Sequence, residues 1–345
     1  MFDGYWWFRG PISNRMVQRQ IIQTWAQEFP ADDLVVAVPS HRSAEDVPDY
    51  AELLQVDHAP VQAALNLVHL PRLARRHRVD AIIAHNFAPR TAISATFIHD
   101  LMFMDHPEWF TRAENSYFRV MTASARRTRG HLVTSSQTEA RRIERLCARQ
   151  AIPVGLAISP ELLETLPDAP AATPPSTFLL AVGRLNVRKN LSAAVEGCIE
   201  SGTLRPDRPL VVVGEASGRH TSWSSGARRA IDDGRVRLLG PVSDAELSWL
   251  YRRADVFLML SLDEGYGLPI AEAVGFGTPV LASDIEVFRE EFGPHVCLVD
   301  PLDVRAIARV VAAQSPQRRA PATIHDWHTI VHRIRRSLDC AEAAA

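Results

Sequence analysis

The chain has 345 residues, of which 46% are apolar and 23% are charged, and its formal net charge is −2. This composition argues against a disordered chain, and the small net charge argues against a general nucleic-acid-binding protein. A chain of this length usually exceeds a single hydrophobic core, so we expect two domains.

Cysteine spacing and apolar run length indicate the cellular setting. The cysteines lie far apart and form no CxxC pair; they are Cys147, Cys198, Cys297 and Cys340. This pattern, with no signal peptide expected, predicts reduced thiols of a cytoplasmic protein rather than a disulfide framework or a zinc site. No apolar run approaches the roughly 18 residues that a membrane-spanning helix needs.

Short apolar runs alternate with amphipathic stretches through the first half of the chain. The opening segment, MFDGYWWFRG, begins almost within the loop that should follow a first strand, so we expect that strand to be short. Further strands are predicted at 33–40, 80–86, 94–100 and 131–136. Helices are predicted at 12–28, 62–78, 112–128 and 137–149.

The second half repeats this alternation. Strands are predicted at 177–184, 209–215, 235–240, 255–261, 279–283 and 295–300. Helices are predicted at 190–201, 243–253, 268–276, 302–313 and 324–338. The Val/Leu runs are nearly continuous, which is typical of strands buried on both faces, and the alternation with helices indicates parallel sheets. We therefore predict an α/β protein.

A proline-rich stretch separates the two halves. The segment LPDAPAATPPST, residues 166–177, holds four prolines within 167–175, and such a segment stops regular structure. We predict an N-terminal domain at 1–160, a linker at 161–176 and a C-terminal domain at 177–320. A last helix at 321–345 is expected to pack back on the N-terminal domain.

The stretch DEGYGLPIAEA, residues 263–273, follows a predicted buried strand and carries two glutamates around Gly-x-Gly-x-Pro. The glycines permit close backbone approach, and Pro269 suits the first turn of a helix that starts near 268. The free N–H groups at such a helix start favour a phosphate, and a carboxylate suits the paired hydroxyls of a sugar or ribose. The alternative is a plain strand–turn–helix unit whose acidic residues complement the helix dipole.

A second strand end carries cations. In AVGRLNVRKN, residues 181–190, Arg184 and Lys189 lie near the start of the next helix, where the helix dipole disfavours positive charge. Two cations at a strand end can neutralise a diphosphate without a metal. The chain contains no Asp-x-Asp pair that would hold a divalent ion. We expect neither a metal nor a cofactor.

These motifs resemble a known family. GRLNVRKN, followed by DEGYGLPIAEAVGFGTPVLASD, is similar to the donor domain of family 4 retaining glycosyltransferases, over most of 177–315. ATFIHDLMFMDHPEWF, residues 95–110, is similar to the His-Asp segment of bacterial mannosyltransferase-like members. The resemblance implies the GT-B fold, in which two Rossmann-like domains with parallel sheets face each other across a cleft.

The resemblance also implies roles for individual residues. Arg184 and Lys189 would hold the diphosphate, Glu264 would bind donor-sugar hydroxyls and Glu272 the ribose. His99 would reach the sugar across the cleft, although a lone histidine is more often a core or surface residue. A backbone segment would contact the donor sugar and phosphate; it consists of Gly265, Tyr266, Gly267 and Leu268.

The first half departs from the family pattern in one loop. Members usually carry a glycine-rich loop after the first strand, whereas WWFRGPISNRM, residues 6–16, offers a single Gly10 before Pro11, which has no N–H. Gly10 is still predicted to approach the donor phosphate or the acceptor. Trp6, Trp7 and Phe8 form either an ordinary core edge or a platform that stacks on a sugar acceptor.

One segment is strongly basic. Residues 112–149 hold nine arginines against three glutamates. They form either solvated helix faces or a patch for acidic lipid headgroups or an anionic acceptor. The second interpretation predicts peripheral contact with the inner face of the membrane.

The predicted function is a metal-independent retaining hexosyltransferase. It would move a hexose, with mannose preferred, from a nucleotide sugar to a hydroxyl of a glycan, lipid-linked or polysaccharide precursor. GDP-mannose is the preferred donor, and UDP-glucose and UDP-N-acetylglucosamine come next. Two alternatives stay open: a GT-B sugar-nucleotide epimerase, and a degenerate scaffold that binds a nucleotide sugar or a partner.

Overall fold

The computed structural model of the protein describes residues 1–8, 10–40, 49–91, 93–215, 223–313 and 317–342. The chain divides into two units. The first unit comprises Met1–Asp105, Arg112–Leu156 and His325–Ala345, and the second comprises His106–Thr111 and Ala157–Ile324. Each unit is built around one parallel sheet with helices on its faces. The predicted domain boundaries stay a prediction.

The first unit has a seven-stranded parallel sheet in the order β3-β2-β1-β4-β5-β6-β7. The strands are β1 (Phe2–Asp3), β2 (Val35–Pro39), β3 (Glu52–Val56), β4 (Ile82–His85), β5 (Ser94–Ile98), β6 (His131–Thr134) and β7 (Ala151–Pro153). The first strand is short, as expected, yet it lies inside the sheet, because Phe2 pairs with both Val36 and Ile83. The strands β3 and β7 were not predicted.

Helices follow most of these strands. They are α1 (Ile12–Glu28), α2 (Gln62–Ala64), α3 (Leu70–Arg76), α4 (Met102–Asp105), α5 (Arg112–Arg127) and α6 (Gln137–Cys147). A π-helical segment, Leu65–His69, joins α2 to α3, so the predicted helix at 62–78 is one continuous stretch with a changed pitch. The Ser136 side chain accepts from the N–H of Glu139 and fixes the start of α6.

The second unit has a six-stranded parallel sheet in the order β10-β9-β8-β11-β12-β13. The strands are β8 (Leu179–Val182), β9 (Leu210–Val213), β10 (Val236–Gly240), β11 (Val256–Met259), β12 (Val280–Ser283) and β13 (Cys297–Val299). All six were predicted, and the predicted ranges extend beyond the observed strands by at most two residues at each end. Side chains of β8, β9, β11 and β12 are almost wholly buried, as their continuous apolar runs indicate.

Seven helices of the second unit lie in the described part of the chain. They are α7 (Pro160–Glu164), α8 (Leu191–Glu200), α9 (Ser225–Asp232), α10 (Asp244–Arg253), α11 (Leu268–Gly275), α12 (Glu286–Phe292) and α13 (Val304–Ala312). Three of them, α7, α9 and α12, were not predicted, and α7 begins at Pro160 and extends into the stretch assigned to the linker. A capping box between Ser243 and Glu246 starts α10.

The last helix, α14 (Trp327–Glu342), belongs to the first unit and packs against α1. Its apolar face is buried through Ile330, Val331 and Ile334. None of the described helices combines the length and the apolar character that crossing a membrane requires.

Candidate functional site

The loop that follows β11 has the geometry expected of a helix start at a strand end. The helix α11 begins at Leu268, and Pro269 lies in its first turn, as predicted. Gly267 has φ +120°, in the region that favours glycine. A Cβ at this position would lie 2.7 Å from the Phe288 ring, so both the backbone conformation and the packing require glycine.

The rest of this loop is held close to the protein interior. Gly265 is buried, and Tyr266 is 4% exposed, with its ring 5.3 Å from that of Phe292 in an edge-to-face contact. Burial raises the pKa of Tyr266 well above its usual value. Leu268 is partly exposed. These residues therefore form a loop packed against aromatic rings, and their contacts to a donor stay a prediction.

A short turn after β8 positions the cations. The Asn186 side chain accepts from the N–H of Lys189 and starts a 3₁₀ turn over Val187–Lys189, directly before α8. Gly183 has φ +147°, and a Cβ there would lie 3.2 Å from Cε of Lys189. The N–H of Leu262 donates to the carbonyl of Arg188 at 2.9 Å, which ties this turn to the β11 loop.

Glu264 brings two cations of this turn together. Its Oε1 lies 2.6 Å from Nζ of Lys189, and its Oε2 lies 2.6 Å from Nη1 of Arg188. All three side chains are largely buried, with exposed fractions of 8% for Glu264, 12% for Lys189 and 15% for Arg188. The structure thus joins the two motifs that the sequence places about 75 residues apart.

Electrostatics keep this cluster ionised. Burial disfavours the charged carboxylate, but Arg188 and Lys189 together lower the pKa of Glu264 to about 2. Burial lowers the pKa of Lys189, and Glu264 opposes that change. Glu264 was assigned to donor-sugar hydroxyls, and in the structure its carboxylate accepts from Arg188 and Lys189. Its role toward a sugar stays a prediction.

Arg188 is the functional candidate that sequence reasoning missed. It is adjacent to Lys189, and the 3₁₀ turn directs both side chains to one carboxylate. The predicted cation Arg184 lies earlier in the loop and is exposed, and its charge also acts on Lys189. Lys189 is the only lysine in the whole sequence, in which the other 37 basic residues are arginines.

Glu272 has a different environment from Glu264. It is the fifth residue of α11, slightly further into the helix than predicted. Its Oε2 accepts from the hydroxyl of Tyr251, on α10, at 2.8 Å. Burial raises the pKa of Glu272 to about 7, although the Tyr251 hydrogen bond opposes this shift. One glutamate of the pair is therefore held as a carboxylate, whereas the other titrates near neutral pH.

The backbones of Gly183 and Gly214 approach each other closely beside the cation turn, the 3₁₀ turn Val187–Lys189. Gly214, which follows β9, has φ +134°, and a Cβ there would lie 2.1 Å from the carbonyl oxygen of Gly183. The ends of β8 and β9 thus approach with no room for a side chain. Parallel sheets bind ligands at the carboxyl ends of their strands, where this glycine pair, the cation turn and the Gly267 loop all lie.

His99 follows β5 in the first unit, at the strand end where the sequence predicted it. Its ring stacks on that of His85 at 5.6 Å and contacts Phe97 at 4.9 Å. Burial lowers the pKa of His99 to about 4, so the imidazole is neutral at physiological pH. Its Nε2 is buried and makes no hydrogen bond among the described residues. This leaves a polar atom available to a ligand.

Gly10 lies against an aromatic ring rather than in an open loop. It has φ +143°, and a Cβ there would lie 2.0 Å from the Trp6 ring. The Trp6 indole donates to Oε1 of Gln62 at 3.2 Å, and Trp7 is 4% exposed. Trp7 thus forms part of the packed interior, whereas Trp6 and Phe8 are half-buried. The predicted contact of Gly10 with a donor stays a prediction.

The comparison with known families covers the second unit. Residues 164–315 match the family described as Glycosyl transferases group 1. The matched range contains the cation turn, both glutamates and the loop of Gly267. The part of the site in the second unit therefore lies within the family match, whereas His99 and Gly10 lie outside it.

Two relatives in sequence are mannosyltransferases. The chain is 32% identical over 136 residues to the O-antigen chain mannosyltransferase B of Escherichia coli, a match that covers 38% of this chain and 35% of that protein. It is 28% identical over 246 residues to the GDP-mannose:cellobiosyl-diphosphopolyprenol alpha-mannosyltransferase of Komagataeibacter xylinus, covering 67% of this chain and 61% of that protein. The matches thus span about a third and about three fifths of these relatives.

A solved structure extends the likeness to the whole chain. WaaG, a glycosyltransferase involved in lipopolysaccharide biosynthesis, superimposes with a TM-score of 0.67 at 17% identity, over 99% of this chain and 94% of that one. Together with the two parallel sheets, this confirms the predicted GT-B fold class. Residues 164–315 of this chain are thus similar to the glycosyl transferases group 1, and the relatives that it resembles include bacterial mannosyltransferases.

Proposed function

We propose that the protein is a retaining glycosyltransferase that moves a hexose, with mannose preferred, from a nucleoside-diphosphate sugar to an acceptor hydroxyl. The observation that carries this proposal is the buried cluster of Arg188, Lys189 and Glu264 beside the helix start at Gly267. The family match and the two mannosyltransferase relatives support it.

Charge balance favours a diphosphate as the ligand of this cluster. The two loops contribute three cations, Arg184, Arg188 and Lys189, and two carboxylates, Glu264 and Asp263, which leaves one net positive charge. Buried cations attract an anion more strongly than exposed ones, because water screens them less. A sugar diphosphate would therefore gain counter-charge from the protein, and no divalent ion is required. Metal-independent transfer is part of the proposal.

The reaction itself follows from leaving-group stabilisation. The bond between the anomeric carbon and the phosphate oxygen breaks, and the acceptor oxygen bonds to the same face of that carbon. The departing diphosphate takes the acceptor proton, so no protein nucleophile is needed. Lys189 and Arg184 stabilise the charge that develops on the diphosphate, and the sugar passes through an oxocarbenium-like state.

Other residues position the donor in this proposal. The carboxylate of Glu272 accepts from the ribose hydroxyls, and the backbone of residues 265–268 contacts the sugar and phosphate. His99, which is neutral at physiological pH, offers Nε2 to a sugar hydroxyl. GDP-mannose is the preferred donor, because one relative is named for its use.

The acceptor side of the proposal concerns the basic segment. Arg112, Arg119 and Arg126 recur every seven residues along α5, so they share one face of this helix. Asp105 and Glu139 engage Arg142, so that arginine of α6 is neutralised locally. We place a lipid-linked or polysaccharide precursor, at an anionic inner membrane face, opposite the exposed arginines of α5. Flotation with anionic vesicles should be lost on combined R112S and R119S substitution, and unchanged flotation would contradict the membrane contact.

An epimerase acting on the nucleotide sugar is the alternative enzyme. It would share the diphosphate site, but it must eliminate and re-add the nucleotide with acid and base groups. Incubation with the donor alone separates the two activities, since an epimer formed without acceptor would support the epimerase. A scaffold without activity would bind donor and yield neither product.

The test of the proposal has two steps. A thermal-shift panel of GDP, UDP, GDP-mannose, UDP-glucose and UDP-N-acetylglucosamine identifies the base, because ligand binding to the folded state raises the melting temperature. Transfer of labelled sugar from the selected donor to polyprenol-linked acceptors is then measured. We expect stabilisation by GDP compounds and labelled product in the organic phase. Absence of both for every donor would overturn the proposal.

A further inference from the structure

Three side chains of the first unit converge outside the site described above. Glu28 is the last residue of α1, and His328 and His332 lie on the first turns of α14. Oε2 of Glu28 is 2.7 Å from Nδ1 of His328 and 3.3 Å from Nε2 of His332. The three ligand atoms all lie within 4.8 Å of one another.

The residue spacing, the helix cap and the apolar residues of α14 hold these side chains in place. His328 and His332 are four residues apart, so they lie on the same face of the helix. The Asp326 carboxylate accepts from the N–H of Thr329 at 2.7 Å and fixes the start of α14. Ile330 and Val331, on the same helix, are fully buried and anchor it. The packing of α14 against α1 thus brings both histidines to Glu28 at the end of α1.

The nearby charged side chain has a partner of its own, so the two histidines do not compete with it for Glu28. The nearby cation Arg335 pairs with Asp32, and its guanidinium lies 4.3 Å from the Phe29 ring centroid. The side chains of Glu28, His332 and His328 are 28%, 35% and 61% exposed, so an ion has a path from solvent. The cluster is therefore anchored on one side and open on the other.

We propose that Glu28, His328 and His332 form a binding site for a divalent transition metal such as Zn²⁺. Two imidazole nitrogens and one carboxylate oxygen are ligands that zinc prefers, and water would complete a four-coordinate shell. Tetrahedral zinc at about 2.0–2.1 Å from its ligands places them roughly 3.3 Å apart. The separations from Glu28 are 3.3 Å to His332 and 2.7 Å to His328, so the His328 ring would move outward slightly to admit the ion. An imidazole that donates to Glu28 releases that proton, or shifts tautomer, when its nitrogen binds the ion.

The ion would join the end of α1 to the start of α14. Because the three ligands come from helices at opposite ends of the sequence, they are together only in the folded unit, and binding then stabilises that unit. At a hundredfold excess over the dissociation constant, the melting temperature of the first unit should rise by about 5–10 °C. Hard cations such as Mg²⁺ should give no such rise, since they prefer oxygen ligands.

The test uses the full chain without a histidine tag, stripped with a chelator that is then removed. Co²⁺ serves as the probe, because a four-coordinate site with histidine ligands gives visible absorption bands, and calorimetry with Zn²⁺ gives the affinity. We expect one ion per chain. H328Q and H332Q should each weaken Zn²⁺ binding by at least tenfold and abolish the Co²⁺ bands.

Matched variants keep the result interpretable. H77Q changes an exposed histidine elsewhere in the first unit and should bind the ion as the parent does. H328Q alters the most exposed of the three ligands, so its melting temperature without metal should equal that of the parent. Unchanged Zn²⁺ affinity in both H328Q and H332Q would overturn the proposal, as would the absence of saturable binding by the parent chain.

Discussion

Nζ of Lys189 lies 2.6 Å from Oε1 of Glu264, so a cation that follows β8 is held by a carboxylate that follows β11. Arg188 binds the other oxygen of the same carboxylate. The carboxylate therefore orients both cations before an anion arrives. A ligand that meets side chains already in position loses less conformational entropy on binding, which favours a tight diphosphate site.

Removing the Lys189 amine should slow transfer more than it harms folding. In K189A we expect turnover to fall roughly a hundredfold, or about 3 kcal/mol of transition-state stabilisation, because a cation on the leaving diphosphate is lost. Glu264 keeps its bond to Arg188, so the chain should remain folded by circular dichroism. R205A, which removes an exposed ion pair with Asp207 in the same unit, is the control. Parental rates in K189A would contradict the role of this cation.

The single lysine allows a second measurement on the unmodified protein. An amine-reactive reagent can label only Lys189 and the terminal amine, and the amine of Met1 is buried, with a hydrogen bond to the carbonyl of Ala81. Donor nucleotide should protect Lys189 from pyridoxal phosphate and borohydride, as read by peptide mass spectrometry. Equal labelling with and without saturating donor would place the diphosphate elsewhere.

Glu272 should make donor binding depend on pH. Its pKa is about 7, so raising the pH from 6 to 8 converts it from mostly protonated to mostly charged, and the charged form is the one proposed to accept ribose hydroxyls. We expect the affinity for a nucleotide sugar to rise by about tenfold over this interval. E272Q should bind weakly at both values. Calorimetry at the two pH values measures the affinity. A nucleotide sugar is used as the ligand, because its diphosphate has no second ionisation between pH 6 and 8.

The same residue affects the stability of the unliganded protein with the opposite sign. Burial raises the pKa of Glu272 in the folded state, whereas in the unfolded chain it is near 4.5. Between about pH 4.5 and 7 the folded form holds a proton that the unfolded form has lost, so stability from this group decreases as the pH rises and is constant above 7. Urea unfolding of the parent and E272Q should show this difference in slope.

Gly267 should resist substitution more than an ordinary glycine. G267A places a Cβ 2.7 Å from Phe288 at a backbone φ of +120°. Strain and overpacking together should cost about 2–4 kcal/mol of the free energy of unfolding and displace the start of α11. Gly293 has φ −43° and open space around its Cβ position, so G293A should change stability by less than about 0.5 kcal/mol. Equal stability of the two variants would contradict this account.

Chelation separates the two roles proposed for charge in this protein. Excess EDTA should leave sugar transfer intact, because we propose that cations of the second unit replace a divalent ion at the diphosphate. The same treatment of zinc-loaded protein should lower its melting temperature, and H332Q should show no such decrease. If EDTA abolished transfer and Mg²⁺ restored it, metal-independent transfer would be contradicted. The zinc proposal would not be affected by that result.

Local sequence signals predicted most of the parallel sheets but not every strand. The run at 210–213 is continuously apolar and fully buried, and its strand was found. The strand β3 has exposed and buried residues mixed over Glu52–Val56, so it carries neither an alternating nor a continuous pattern. Short helices such as α12 depend on tertiary packing of Val287 and Phe288 rather than on intrinsic propensity.

The candidate site was predicted by residue type but not by pairing. The resemblance to the family implied that Lys189 and Glu264 belong to one site, whereas their direct bond depends on strand order, which local patterns do not contain. Arg188 was missed for the same reason, since only the turn geometry directs it to Glu264. The Glu28, His328 and His332 cluster joins residues about 300 positions apart, which no local motif can reveal.

The close approach of Gly183 and Gly214 limits how this protein can change. A methyl group at 214 would lie 2.1 Å from the carbonyl oxygen of Gly183, so even the smallest side chain would force the two neighbouring strand ends apart. Libraries that randomise both loops should therefore return glycine at 214 regardless of which sugar or acceptor is used for selection. Altered specificity would have to arise from substitutions at other positions of the loops, while the backbone at Gly183 and Gly214 stays unchanged.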